Sequence, residues 1–442
     1  MSNRIYVAID LNNAESMSAF DQIIGYSVIK KELERTADAL KNRDVYAALG
    51  VSTPNGLLLH GEPGVGKSLM AGCLIAESGR NVLTLRRDEP DGDFVRAIKE
   101  TFEKAVESAP SIVFLDDMDK FAKVEDDCSN QEEFVAVQAA IDKVKGSDVF
   151  VLATANSLRV LPESLIRAGR FDRVLRVDAP SEKEAPEIIE HFLADKQLSG
   201  PIDVKVIARL LSGRSCAELE TSMNSAGLLA AYDRCPAITM QHIIMGCVNT
   251  IHGISSDHII PNRSDDPLDP NSDAARTACH EAGHAVVSEV LEPGSVTLAC
   301  IHELQNSSKG FVTVDQPIDT RIEKLLEDVV QSVAGHAALE MHFGILDAGA
   351  SDDLSHARNH LHDIVCSNDY IGCEMLGSPY EDSQNLLGRQ ELAIAYEMTR
   401  CINRARQILA ENRPFFEAMI AALLKKGLLT GEDIQEIRGR CA

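Results

Sequence analysis

His280-Glu281-Ala282-Gly283-His284 places two imidazoles four residues apart with a carboxylate directly after the first. On a helix, residues four apart share a face, so both rings can reach one metal ion, and Glu281 can meet a metal-bound water as general base. The same five residues would also fit a solvated helix face. A second stretch, Gly61-Glu62-Pro63-Gly64-Val65-Gly66-Lys67-Ser68, has the spacing G-x-x-x-x-G-K-[ST]. Its glycines let backbone N–H groups turn inward around phosphate oxygens at the positive end of a following helix. Lys67 would reach the β and γ phosphates of ATP, and the Ser68 hydroxyl would hold Mg²⁺.

Each stretch needs elements to position it. Leu57-Leu58-Leu59 is a short apolar run of strand length before the phosphate loop, and a helix is expected from Leu69 to Glu77. Ser111 to Leu115 reads as a second buried strand, ending at Asp116-Asp117 on the edge where open α/β sheets bind ligands. Asp116 would position Mg²⁺ through water, and Asp117 would orient the attacking water. A third strand, Val149 to Ala153, ends at Thr154-Ala155-Asn156, whose carboxamide could contact the γ phosphate or the attacking water. Upstream, Ile29 to Leu49 predicts one or two amphipathic helices burying Leu33, Ala37, Leu40, Val45 and Leu49.

The second half begins after a polar, proline-punctuated stretch, 254–273, which reads as a linker. The H-E-x-x-H helix starts near Ala274 and stops at Pro293-Gly294. Val296, Leu298, Phe311, Val312 and Val314 suggest a small hairpin whose edge could receive an extended peptide. From Arg321 on the text is amphipathic helix, including 389–412, 414–425 and a last helix from about Thr430. Catalytic zinc usually takes three protein ligands. Asp352, Asp353, His356, His360 and His362 all crowd one downstream segment, and spacing does not choose among them.

Composition limits the partners. The 442 residues carry a formal net charge of −25, which argues against nucleic acid and against docking on anionic lipid. Eleven cysteines lie scattered without C-x-x-C pairs, as expected for free thiols in a reducing cytosol. Met1 to Asn13 is short, mixed and polar, so no secretory signal is expected; no run of 18 apolar residues is present, so no membrane insertion is expected, and the expected location is cytoplasmic.

The phosphate loop, the D-D strand end, the A-T-A-N strand end and Leu165-Ile166-Arg167-Ala168-Gly169-Arg170-Phe171-Asp172-Arg173 together resemble an AAA+ ATPase. With H-E-A-G-H behind them, the chain resembles the FtsH family of ATP-dependent zinc metalloproteases from about Phe20 onward. That resemblance implies an α/β AAA+ P-loop domain (20–180) with a helical lid (181–253), then a mainly α-helical zinc metalloprotease domain (274–442), after a tail of 19 residues. It implies Zn²⁺, ATP and Mg²⁺ as cofactors, protein substrates and a homohexameric ring. Gly61, Pro63, Gly64, Val65, Gly66, Lys67, Ser68, Leu69 and Asp116 would bind nucleotide, and Ile24-Gly25 would lie beside its adenine. Asn156 matches the first sensor, and Arg167 and Arg170 match arginine fingers acting on a neighbouring subunit's nucleotide. Gly349-Ala350-Ser351-Asp352-Asp353 resembles the family's G-A-S-N-D segment, which makes Asp353 the third zinc ligand and puts Asp352 in the asparagine's place.

Several residues depart from the family. Asp117 stands where a glutamate is usual, which retracts the carboxylate by roughly 1.5 Å and implies slow ATP turnover. Cys216 replaces a glycine next to the adenine, and Cys279 replaces an aromatic before His280; a packed thiol suits it better than a fourth ligand. The aromatic pore segment is replaced by Arg86 to Phe94, short and acidic, and Phe94 is either its aromatic or a core residue. The expected activity is ATP-dependent zinc endopeptidase cleavage of cytosolic proteins. The alternatives are a nucleotide-gated peptidase of unfolded chains and an AAA+ remodelling factor with a non-proteolytic second half.

Overall fold

The computed structural model describes residues 18–87, 94–120, 131–166, 169–253, 265–301, 310–315, 319–347, 349, 351–367 and 384–441. Arg167 and most of the acidic loop, 88–93, lie outside them, as does 254–264 of the expected linker. The described residues divide into two compact units. One runs to Leu198 and includes Leu211–Asn224. The other takes Ser199–Leu210 and everything from Ser225 on, so the expected lid is shared between them.

The first unit is built on five parallel strands: β1 (Gly56–His60), β2 (Asn81–Leu85), β3 (Ser111–Leu115), β4 (Val149–Ala155) and β5 (Arg173–Arg176), in the order β2-β3-β4-β1-β5. The central strands β1, β3 and β4 are nearly continuous apolar runs because helices cover both faces of a parallel sheet. Leu58, Val113, Val151 and Ala153 form one core with Ile98 and Phe102 of the Phe94–Glu107 helix. Register decides what meets at the strand ends. His60 pairs with Ala155, and Leu115 with Ala153, so Gly61, Asp116 and Asn156 emerge side by side.

Leu33, Ala37 and Leu40 are buried as expected, but Val45 and Leu49 are 61% and 77% exposed. The expectation fails at Asn42, whose backbone leaves the helical region and separates Ser27–Lys41 from a short Arg43–Ala48 helix. The apolar phase does not carry across that break.

In the second unit the Asp273–Leu291 helix runs through the core. Ser272 caps it, its hydroxyl accepting from Ala275 N at 3.1 Å. Small residues on this helix let the Ala334–Phe343 helix approach closely; a Cβ on Gly283 would fall 2.6 Å from that of Ala338. Beyond it, β6 (Val296–Cys300) and β7 (Phe311–Val314) form the expected antiparallel hairpin. A third strand, β8 (Leu428–Thr430), pairs with the other side of β6 and gives the order β7-β6-β8. Glu289, fully buried, anchors this end: it accepts from Gly294 N, Val296 N and Gln435 Nε2, with Arg438 beside it.

Candidate functional site

His280 and His284 lie one turn apart on the Asp273–Leu291 helix, with Nε2 atoms 3.1 Å apart. Asp353, in the first turn of the Ser351–Ser367 helix, brings Oδ2 to 3.0 Å from His280 Nε2 and 3.4 Å from His284 Nε2. Zinc bonded at about 2.0–2.1 Å would need donors about 3.3–3.4 Å apart at the corners of a tetrahedron. Two neutral-capable imidazoles and a carboxylate at these separations fit that metal. Among the described residues this is the sole cluster of three such donors. His356 and His362 are exposed and His360 half-buried, and Cys279 is fully buried among apolar neighbours, where burial pushes its thiol well up.

The surroundings hold these donors in place. His284 Nδ1 lies 2.8 Å from the Gln331 carbonyl, which makes Nδ1 the protonated nitrogen and leaves Nε2 free to bind. Burial pulls the His280 imidazole down. It pulls His284 down too, but the Asp353 acceptor and the Glu281 and Asp353 charges outweigh it and leave His284 raised. Burial alone would lift Asp353; hydrogen bonds from His280 and His284 hold it far below the usual carboxylate range. Glu281 is 5% exposed, and burial pushes its carboxyl up to about 8. The residues open on a cleft of about 960 Å³, bordered by Gly310, Phe311, Val312 and Val314 of the hairpin edge.

Two glycines shape this centre without any signal in spacing. A Cβ on Gly335 would lie 2.4–2.6 Å from three ring atoms of His280, and one on Gly310 would lie 2.6 Å from Glu281 Oε1. Only hydrogen at these positions lets the ligand ring and the carboxylate sit where they do.

In the first unit the phosphate loop turns at Gly64 and Gly66, with φ of 82° and 100°, into the Lys67–Ser78 helix. Val65 is buried, while Ser68 and Leu69 are exposed. Lys67, 6% exposed, donates from Nζ to the Gly61 and Glu62 carbonyls at 2.8 Å and to Asn156 Oδ1 at 3.0 Å. Burial pulls its ammonium below the ordinary value, against the pull of Asp117, Asp119 and Asp116. A buried lysine beside a glycine-turned loop that opens a helix fits an anion such as a phosphate. Thr154 links the acidic strand end: its hydroxyl donates to Asp116 Oδ1 at 2.9 Å and accepts from Asp117 N at 2.9 Å. Asp117 has a left-handed φ of 53°, and its carboxylate is paired with Lys120 at 2.7 Å. Arg86 stands 3.6 Å from Asp116.

Asp119 is a residue the motifs did not single out. It is 8% exposed, accepts from Asn156 Nδ2 at 3.4 Å, and its Oδ1 has no partner among the described residues. Its signal was a third acidic residue just past the strand end.

Ile24 and Gly25 sit beside Tyr26, whose hydroxyl meets Cys216 Sγ at 3.4 Å and the Asp178 carbonyl at 3.0 Å. Phe94 opens its helix packed against the sheet core. Arg170 is 6% exposed, and its guanidinium pairs with Asp142 of the same chain, Nε to Oδ1 at 3.1 Å and Nη2 to Oδ2 at 2.6 Å. A reach to a neighbouring nucleotide would require that pair to break.

Comparison with known proteins matches each half. The profile of the ATPase family associated with various cellular activities (AAA) matches residues 57–179, and that of peptidase family M41 matches residues 270–437. Similar proteins include an ATP-dependent zinc metalloprotease FtsH of Ureaplasma parvum, 28% identical, aligned over 92% of this chain and 58% of its own length. FtsH 3 of Sorangium cellulosum is 29% identical over 98% of this chain and 74% of its own. FtsH of Pelobacter propionicus is 28% identical over 95% and 71%. The chain therefore spans between about three-fifths and three-quarters of the length of these relatives. No helix among the described residues is long and apolar enough to cross a membrane.

Proposed function

We propose a function from one premise: the chain belongs to the FtsH family of zinc metalloproteases, with an AAA half and an M41 half. Its activity is then ATP-dependent endopeptidase cleavage of protein substrates. The observation that carries this reading is the convergence of His280, His284 and Asp353 beside the buried Glu281.

His280, His284 and Asp353 would hold zinc. When bound there, zinc supplies Lewis acidity, lowering the pKa of water and drawing charge from a peptide carbonyl. Glu281 takes the proton of the attacking water on a carboxylate oxygen and delivers it to the nitrogen of the leaving amine. The free edge of β7 offers backbone groups to an extended peptide and keeps the scissile bond over the site. In the other half, Gly61 to Leu69 cradle the phosphates of ATP, Ser68 and Asp116 hold Mg²⁺, and Ile24 and Gly25 flank the base. Asn156 and Asp117 orient the attacking water. Arg167 and Arg170 are assigned to the nucleotide of the next subunit, which calls for a ring, in this family of six copies. The domain limits proposed are 20–180, 181–253 and 274–442, and the compartment proposed is the cytoplasm.

Phe94, packed against the core, favours a second reading, in which nucleotide gates the cleavage of already unfolded chains. The test incubates wild type and Glu281→Gln with an unstructured protein and a tightly folded tagged one, with and without ATP. ATP-dependent loss of the folded substrate by wild type alone is the expected result. Loss of only the unstructured one selects gating, and loss of neither overturns the protease reading in favour of a remodelling factor.

A further inference from the structure

The strand bordering the zinc cleft is gripped at both ends by residues that precede the peptidase half. Among the described residues β7 pairs with β6 alone, and Phe311, Val312 and Val314 line the cleft. At its first residue, the Phe311 ring stacks on His252, the last residue of the Met240–His252 helix, with centroids 3.7 Å apart and planes at 27°. Just past its other end, Asp315 accepts from Arg209 Nε at 3.3 Å, and Arg209 also donates to the Gly294 carbonyl in the turn that leads into β6. Between the two grips, Leu210 and Val248 bury against Leu298 of β6, with Phe311 packed on the same cluster.

The grip at Phe311 lies one residue from Gly310, the wall of Glu281. A displacement of β7 at this end therefore moves both the peptide-facing edge and the space around the general base. A short strand paired on one side is weakly ordered by itself. A peptide that adds to its free edge gains backbone hydrogen bonds only if the register is already set. An exposed ion pair such as Arg209–Asp315 adds little to overall stability, but here it and the ring stack restrain the same four-residue element.

We propose that Arg209 and His252 are positioning residues for peptide hydrolysis: by holding the two ends of β7 they fix its free edge against His280, His284 and Glu281, and so set how tightly an extended peptide binds. This deepens the protease reading above and rests on it.

Binding is measured with a short fluorescein-labelled unstructured peptide titrated against zinc-loaded Glu281→Gln protein by anisotropy. In that background His252→Ala and Arg209→Ala should each weaken Kd by roughly fivefold or more, with zinc content unchanged. His252→Phe, which keeps a stacking face, should restore the original Kd. Arg209→Ala with Asp315→Ala should be no worse than Arg209→Ala alone. Unchanged Kd in both alanine variants overturns the proposal, as does weaker binding accompanied by zinc loss, or failure of His252→Phe to rescue. Peptide binding without cleavage by the Glu281-containing protein would sink the protease reading and leave the strand anchors standing. Cleavage with unaltered Kd in the variants would do the reverse.

Discussion

Replacing Gly335 with alanine adds one methyl group and should cost the protein its metal. Gly335 lies at the start of the Ala334–Phe343 helix with ordinary helical backbone, so alanine suits the local structure and is favoured there by about 1 kcal/mol over glycine. The methyl would fall 2.4 Å from Cε1, 2.5 Å from Nδ1 and 2.6 Å from Nε2 of His280. Ordinary carbon contacts begin near about 3.5 Å, so the ring must retreat by roughly 1 Å. Metal–ligand distances tolerate about 0.2 Å. His280 cannot retreat freely, because the helix bearing it is packed through Ala278 and Ala282. A misplaced ligand at this level should weaken zinc binding about 10- to 100-fold, the range seen when the support of a ligating histidine is removed. Zinc Kd is read by competition with a chromophoric chelator, alongside thermal unfolding of the metal-free protein. Gly439→Ala, whose methyl would meet nothing within 4 Å, is the control. Zinc affinity within about twofold of wild type in a folded Gly335→Ala protein would refute the steric reasoning.

Asp117→Glu advances the carboxylate by roughly 1.5 Å and should raise ATP turnover about tenfold or more in a phosphate-release assay; a fall would show that the aspartate is already placed correctly. Arg170→Ala leaves Asp142 without its main partner and should lower stability by about 1–2 kcal/mol in urea unfolding, the Asp142 side being open enough to water for screening. Arg170, with Lys145, holds the Asp142 carboxyl well below the usual range. Its contribution is therefore complete above the unfolded value of about 3.9 and is lost as pH falls below it. The stability gap between wild type and Asp142→Asn should accordingly begin to narrow as pH falls through about 4 and go on narrowing in stronger acid, and a gap that widened would contradict the sign. Glu289→Ala leaves the Gly294 and Val296 N–H groups without their acceptor while Arg438 keeps the residue 289 carbonyl, and should destabilise the second unit by about 2–4 kcal/mol as followed by denaturant unfolding. A loss below about 1 kcal/mol would mean that water replaces the carboxylate.

Much of the fold was legible because the informative residues follow short-range rules. A glycine-rich loop between an apolar strand and a helix, and two histidines one turn apart, are read from spacing alone. Spacing did not choose Asp353 over His356 and His360, which are equally near in sequence; the resemblance of its segment did, and the meeting of two helices sets it 3.0 Å from His280. The same holds for Gly335, a glycine inside a helix that reads as a mere weakness until the ring above it is seen. β8 escaped notice because three residues between helices are too few to show alternation. Val45 and Leu49 were assigned to a core because the apolar period looks continuous, whereas the chain turns at Asn42. Arg170 looked like a displayed charge, and no local pattern points to its partner Asp142, 28 residues earlier in the chain.

The two sites handle their charges in opposite ways, and this bears on which one sets the pace. At the zinc centre Glu281 is enclosed, and His280, His284 and Asp353 already converge on one point. Little has to move before a peptide is attacked. At the nucleotide site, Asp116, Asp117 and Asp119 are balanced within the chain by Arg86, Lys120 and Lys67. Each functional group there is engaged with another: Lys67 with loop carbonyls and Asn156, Asp117 with Lys120, Arg170 with Asp142. On the roles proposed above, nucleotide binding would exchange these partners, and Asp117 would act across a longer gap than a glutamate. On the function proposed above, a preset peptidase driven by an ATPase that has to be rearranged at each turn would be limited by the ATPase. Substitutions that free Asp117, such as Lys120→Ala, should therefore raise the cleavage of folded substrates and leave the cleavage of short peptides unchanged. Equal acceleration of both would place the limiting step at the zinc centre instead.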